Sequence, residues 1–390
     1  MPMATRARSL PRRRWAAAWR RAGGAVLTLL LAAAGCTTDR AQPPGPAATG
    51  SLPPVGATTS TTAPMAPRLL AGDPLAAPTG LELLVSANPP RLLAVDAGTS
   101  RPVAGVPGGA DRVAWVQPVG PHAVIVSEAP TAATRGEVFV LRQGATGATA
   151  VGHAADAIPT RNGDGLWLWH WRDERHCTLG EVGLDGRPRR PPLRLDCAAR
   201  PVADTERGLL VQVEGPDSDA PTAALLDRRD GHRLATYPEV IAVAGDLVLS
   251  GGEADQGPFT LTDRRTGGRR LVPRPPGVGR AGGGLRSPDR RLLAVEFGDP
   301  AWYGGPGQVM DVWLLDLRTR RWRQLPGMPV LAWLKFTSMA WTGDGRLLLL
   351  GGFDRVGDAL ALWRPGQDRL AVRRLRLPAD RAGSDSFVPR

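Results

Sequence analysis

Short apolar runs recur along residues 68–390, each broken by Gly, Pro, Asp or Asn, and hardly any carries the spacing of an amphipathic helix. That punctuation predicts strands throughout. Seven times a strand ends in Asp or Arg, turns, and is followed by another strand. These markers are Leu92–Asp96, Val138–Arg142, Leu179–Asp185, Ala224–Asp227, Phe259–Asp263, Val312–Asp316 and Leu360–Arg364, spaced 46, 43, 42, 36, 53 and 48 residues apart. A repeat of about 45 residues is the length of one four-stranded propeller blade. An apolar strand precedes each marker: Leu81–Val85, His122–Val126, Leu166–Trp169, Leu209–Val213, Leu247–Leu249, Leu292–Phe297 and Leu347–Leu350. We assign these as second strands and the markers as third strands. Near-continuous apolarity fits strands buried on both faces. The expected fold is all-β: a β-propeller of seven four-stranded blades, with six as the alternative. Either Ser384–Val388 or Arg68–Leu70 is available to complete the ring.

Ser287-Pro288-Asp289-Arg290-Arg291-Leu292-Leu293-Ala294 resembles the strand-entry motif of TolB-type and WD40-like propellers, and Gly343-Asp344-Gly345-Arg346-Leu347 echoes it. Gly251-Gly252, Gly351-Gly352 and the Asp316…Trp322…Pro326 segment are instead similar to kelch repeats. The resemblance covers about a third of the domain, implies a propeller, and leaves the choice of family open.

The first 67 residues read differently. Residues 1–21 hold seven arginines and no acid, and Ala22–Ala34 is an uncharged stretch of 13 residues. A helix of that length is shorter than the roughly 20 residues needed to span a bilayer. A basic segment followed by a short apolar one is the build of a secretory signal. Leu31-Ala32-Ala33-Ala34-Gly35-Cys36 resembles the bacterial lipobox, which implies removal of residues 1–35 and lipid attachment at Cys36. The expected location is the outer face of the cell membrane. Arg13-Arg14-Trp15 is the weaker twin-arginine alternative. Residues 36–67, rich in Pro, Thr and Ala, lack the apolar content to fold and are expected to be a disordered tether. The domain plan is therefore 1–35 signal, 36–67 tether and 68–390 propeller.

Export alters the charge argument. The chain is formally +12, seven of those charges lie in residues 1–21, and about +5 remains afterwards. So small an excess does not point to nucleic acid. Two cysteines then remain, Cys177 and Cys197, on either side of a turn placed around Asp185–Arg189. In an oxidising compartment a cross-strand disulfide is expected, with a metal site or free thiols as the alternatives. Trp167, Trp169 and Trp171 alternate on one strand and so share a face, read as core ahead of a sugar-stacking stripe.

Function is less legible. Connections between second and third strands should open on one end of a propeller, and several are acidic. Trp302 and Tyr303 sit in a Gly- and Pro-rich loop there with Asp299, while Glu253 and Asp255 occupy another. An aromatic pair on a loop stacks on a sugar or anchors a protein, unless the loop folds back over it. Those five residues are the ligand-binding candidates. Turns between third and fourth strands carry Arg187, Arg189, Arg190, Arg228, Arg229, Arg233, Arg264, Arg265, Arg318, Arg320 and Arg321. The expectation is a two-faced disc, with an acidic ligand-facing end and an Arg-rich end able to approach anionic headgroups. His122, His153, His170, His176 and His232 have no metal-ligand spacing, and Ala281-Gly282-Gly283-Gly284 lacks the lysine of a phosphate loop. No catalytic constellation, metal or cofactor is assigned. The leading expectation is a membrane-anchored, non-enzymatic scaffold for a protein partner or wall glycan. The alternative is a propeller glycan hydrolase or lyase using carboxylates of the acidic loops.

Overall fold

The computed structural model describes residues 66–76, 78–109, 112–128, 136–173, 176–213, 222–251, 257–298, 308–378 and 386–390. Among these, strands, turns and bends are the only elements. The strands form five separate four-stranded sheets and one nine-stranded sheet. The large sheet is two four-stranded meanders joined where Gln308–Met310 pairs with Val330–Ala332, with Asp73–Pro74 added at its edge. The described residues thus make seven up-and-down antiparallel meanders.

Meander 1 is Phe387–Pro389, Glu82–Val85, Arg91–Ala94 and Thr99–Pro102; meander 2 is Val113–Val119, His122–Glu128, Gly136–Leu141 and Ala148–Ala154. Meander 3 is Asp156–Pro159, Gly165–Asp173, His176–Gly183 and Leu193–Leu195; meander 4 is Ala199–Thr205, Gly208–Val213, Thr222–Leu226 and Arg233–Tyr237. Meander 5 is Val240–Ala244, Leu247–Ser250, Phe259–Asp263 and Arg269–Val272; meander 6 is Arg280–Arg286, Leu292–Gly298, Gln308–Asp316 and Trp322–Gln324. Meander 7 is Val330–Trp341, Leu347–Phe353, Gly357–Trp363 and Ala371–Arg374. Every second and third strand expected from the apolar runs is found in that position.

Alternation along each strand sends successive side chains to opposite neighbours. On His122–Glu128, Ala123 and Ile125 pack toward meander 1, whereas Val124 and Val126 pack toward Leu166, Leu168 and Val182 of meander 3. Such clusters link each meander to the next, and one of them joins Leu83, Val85 and Leu93 to Leu348, Leu350, Leu360 and Leu362. Meander 7 is thereby packed on meander 1, and the array closes. Trp167 and Trp169 lie in the cluster between meanders 3 and 4, so the tryptophan stripe is core.

The first and last described segments both join the sheets near this closure. Phe387–Pro389 pairs with Leu83–Val85 as the first strand of meander 1. The Ser386 hydroxyl accepts from the Val116 amide at 2.8 Å, and the Arg390 guanidinium donates to the carbonyls of Arg142 and Ala145, tying meander 1 to meander 2. Arg68–Leu70 takes a different place. Arg68 bridges to Val330, Leu70 is buried against meanders 6 and 7, and Asp73–Pro74 pairs in parallel with Ala371–Val372 on the outer edge.

The recurring Asp at the end of third strands has a local cause. Its side chain accepts backbone amides two or three residues on: Asp227 from Arg229, Asp263 from Arg265, and Asp316 from Arg318 and Thr319. In each of these turns the amide four residues on donates to the Asp carbonyl, from Gly231, Gly267 and Arg320 respectively. That position is left-handed, with φ of 75°, 75° and 59°. Arginine there meets the Cβ–carbonyl clash that glycine avoids. Arg320→Gly is therefore expected to stabilise the protein by about 1 kcal/mol, read as a higher urea midpoint at unchanged m-value.

Candidate functional site

Because strands alternate in direction, the second-to-third connections and the starts of the inner strands share one end of the array, called here the mouth. Its described polar side chains come from strand termini. Arg112, just ahead of the inner strand of meander 2, pairs with Glu137 at 2.8 Å and donates to the Ser127 hydroxyl at 3.2 Å. Arg280, opening the inner strand of meander 6, pairs with Glu239 at 3.2 Å, which links it to the entry of meander 5. These pairs bridge neighbouring strands and hold their ends in register.

Two carboxyls at the mouth interact across meanders 2 and 3. Glu128 ends the second strand of meander 2 opposite Val113, and Asp156 opens the inner strand of meander 3 opposite Trp169. Burial, with the charge of Asp156 added, pushes Glu128 up to about 7. Burial likewise raises Asp156 to about 6, against the pull of the Ala157 amide and of Arg200. The Arg200 guanidinium lies 5.8 Å from the centre of the Trp169 ring. Trp169 is 4% exposed, and its indole N–H meets no hydrogen-bond acceptor among the described residues. Both carboxyls thus titrate close to neutrality, so the pair can both donate and accept a proton.

Meander 6 contributes two more raised carboxyls. Glu296 sits between the fully buried Val295 and Phe297, and burial pushes it up to about 7. Asp311 is raised by burial although Trp313 Nε1 and Gln324 Nε2 donate to it at 2.8 and 2.9 Å. Trp333, near the start of the inner strand of meander 7, is 43% exposed and lies against Gly352.

The sequence-derived candidates Glu253, Asp255, Asp299, Trp302 and Tyr303 lie outside the described residues, as does the proposed lipid site Cys36. The strands flanking the loops that hold the five candidates end at the mouth. Cys177 and Cys197 are bonded, with Cα atoms 5.1 Å apart. Their register is not symmetrical, since Cys177 faces Leu195 and Cys197 follows the strand end. Asp156, Glu296, Asp311 and Trp333 escaped the sequence reading. The available signal was an acid interrupting a strongly apolar run, as in Val295-Glu296-Phe297 and Met310-Asp311-Val312.

The opposite end is less free than its arginine count suggests. Arg189 pairs with Asp164 at 3.0 Å, Arg190 with Glu181 at 2.6 Å, Arg228 with Asp204 at 2.7 Å and Arg346 with Asp344 at 2.9 Å. Arg264 is buried and donates to the carbonyls of Gly245 and Asp246. Much of this end is an interlocked ionic lattice.

No family model matches the chain, and no curated protein is similar to it in sequence. Solved structures do share the fold. A prolyl endopeptidase aligns with a TM-score of 0.53 at 12% identity, over 78% of this chain and 50% of that one, so this chain spans half its length. A functionally unknown protein from Desulfotomaculum acetoxidans aligns with a TM-score of 0.51 at 9% identity, over 80% and 99% of the two chains. A putative 6-phosphogluconolactonase from Bacteroides fragilis aligns with a TM-score of 0.47 at 14% identity, over 81% and 100%. This is a propeller-type, all-β fold. Identities so low extend to architecture alone.

Two outcomes follow. The Cys177–Cys197 bond closes a loop with a sequence separation of 20, and opening it with paired serines should lower stability by about 3 kcal/mol in urea unfolding. Glu296 is raised from 4.5 to about 7, so the folded state binds more protons than the unfolded state between those values. Its contribution is fully present below pH 4.5 and lost as pH rises through 7. Glu296→Gln should match the parent below pH 4.5, become progressively more stable than it as pH rises from 4.5 to about 7, and keep a constant advantage above that. The gap should widen by up to about 1.4 kcal/mol per pH unit; urea midpoints across that range measure it.

Proposed function

We propose that the chain is an exported lipoprotein, anchored through Cys36, whose seven meanders are the blades of one propeller and whose mouth binds a protein partner or a wall glycan. The observation that carries this reading is Trp333, a large aromatic left 43% exposed at the end where the long connections emerge. An exposed indole on the end that also carries the raised carboxyls suits an amphipathic ligand, whether a sugar ring or a protein anchor. The loops carrying Trp302, Tyr303 and Asp299 leave from adjoining strands and would widen that surface.

A second reading has its own support. The Glu128–Asp156 pair titrates near neutrality, which is the property a general acid or base needs. A propeller-type glycan hydrolase or lyase would use such a pair at the mouth.

In-cell crosslinking of the tagged, lipidated protein separates the two. A scaffold should capture one dominant partner, and Trp333→Ala should cut that capture at least tenfold while leaving the unfolding midpoint nearly unchanged. Undiminished capture by Trp333→Ala would remove the indole from the binding surface. Turnover of a wall glycan that is abolished by Glu128→Gln would establish the enzyme instead.

A further inference from the structure

The charge of this chain is concentrated on a narrow part of its rim. Residues 263–272 and 316–324 hold eight arginines and two aspartates, a formal +6, against about +5 for the whole chain after residue 35. These segments are the third-to-fourth turns and outer strands of meanders 5 and 6. Trp322 makes them one surface. Its indole N–H donates to the Pro273 carbonyl at 2.7 Å, and its ring lies 6.0 Å from both Phe259 and Phe297. That contact brings the outer strands of meanders 5 and 6 together on the rim, and Arg269 and Arg270 on one and Arg321 and Arg323 at the other are all exposed. None of the four forms a salt bridge among the described residues, in contrast to the paired arginines of the ionic lattice.

Within this basic field Leu271 is 70% exposed, the highest exposure of any large apolar side chain among the described residues. Leu234, on the outer strand of meander 4, is 44% exposed. Arginines on an edge strand discourage pairing with a second sheet, but that role gives no reason to display a leucine between them. A leucine projecting from unneutralised arginines is the combination that enters a headgroup region, where apolar burial and attraction to anionic lipid act together. The chain also first enters the fold on the same rim, with Arg68 and Asp73 on the outer edges of meanders 6 and 7.

We infer that the rim formed by Arg269, Arg270, Leu271, Arg321 and Arg323 docks on an anionic bilayer surface. This docking holds the propeller edge-on to the membrane and leaves the mouth directed along it. The inference stands apart from the mouth reading, since rim and mouth share no residue.

The test uses the chain beginning at residue 36 with Cys36→Ser, so that no acyl chain contributes. Binding is measured by co-sedimentation at low salt with phosphatidylcholine vesicles containing one-third phosphatidylglycerol. The parent should bind these and not pure phosphatidylcholine. Each arginine near the surface is worth about fivefold in partitioning, so the triple variant Arg269→Gln, Arg270→Gln, Arg321→Gln should bind roughly a hundredfold more weakly. Leu271→Ser should weaken binding severalfold without altering charge. A control with Arg187→Gln, Arg194→Gln and Arg364→Gln removes equal charge from exposed positions on other meanders and should lose much less. Equal losses in the two triple variants would reduce the effect to net charge and overturn the site. Absence of parental binding, or retention on a soluble phosphodiester polymer with none on vesicles, would overturn the membrane assignment. Folding of each variant is checked by its unfolding midpoint.

Discussion

Burial of both faces of every meander is the constraint on which this structure depends. A four-stranded sheet with leucine and valine on each side is not stable in water alone, and each one here finds cover only from its two neighbours. Leu348 and Leu350 of meander 7 turn toward meander 1, while Leu347 and Leu349 turn toward meander 6. No meander can be first or last in such an arrangement without exposing a face. Closure is consequently a requirement, and both ends of the described chain contribute to the sheets on either side of it. The strand at 387–389 supplies the missing inner strand of meander 1, and residues 68–74 cover the outer flank of meanders 6 and 7.

The same constraint decides how much could be read from sequence. Second and third strands are apolar on both sides, so their runs stand out without any structural knowledge. The turn aspartates stand out because the capping hydrogen bonds demand them. Inner strands are another matter. They are interrupted by irregularities at Pro201/Ala203, Val240/Ala242 and Ala281/Gly284, and a shifted register hides the alternation on which pattern reading relies. Ala281-Gly282-Gly283-Gly284 illustrates the cost. Judged only as a failed phosphate loop, it is the inner strand of meander 6, where a Cβ on Gly284 would stand 2.6 Å from the Ala242 side chain. Outer strands such as Arg269–Val272 were equally hidden, being too polar to resemble a core element.

Site residues divided along similar lines. The acids that could be singled out were those in polar loops, where sequence marks exposure but says nothing of depth. The carboxyls with raised affinity for protons are instead the ones ending or interrupting apolar strands, and their desolvation comes from a neighbouring meander tens of residues away. For Glu128 the second contributor is Asp156, which belongs to the next sheet. A property that arises between repeats cannot be read from one repeat. Its trace in sequence is a local inconsistency, a charged residue where the pattern asks for valine, and such inconsistencies concentrate at functional positions.

Charge follows the layers of the fold more closely than its two ends. An expectation of one acidic and one basic end treats turns as free, whereas several far-end arginines lock turn to strand, as Arg190 does between Glu181 and the Arg228 carbonyl. On the outer strands of meanders 5 and 6, Arg269, Arg270 and Arg323 are exposed and form no salt bridge among the described residues, although Arg101 and Arg373 on other outer strands are paired. The carboxyls with raised affinity for protons lie toward the mouth, where inner strands begin. A closed ring of this build thus presents two chemically different surfaces from one repeating pattern: a proton-binding, aromatic mouth and a cationic rim. Because they occupy different strands, either can change without unsettling the apolar clusters that keep the ring shut.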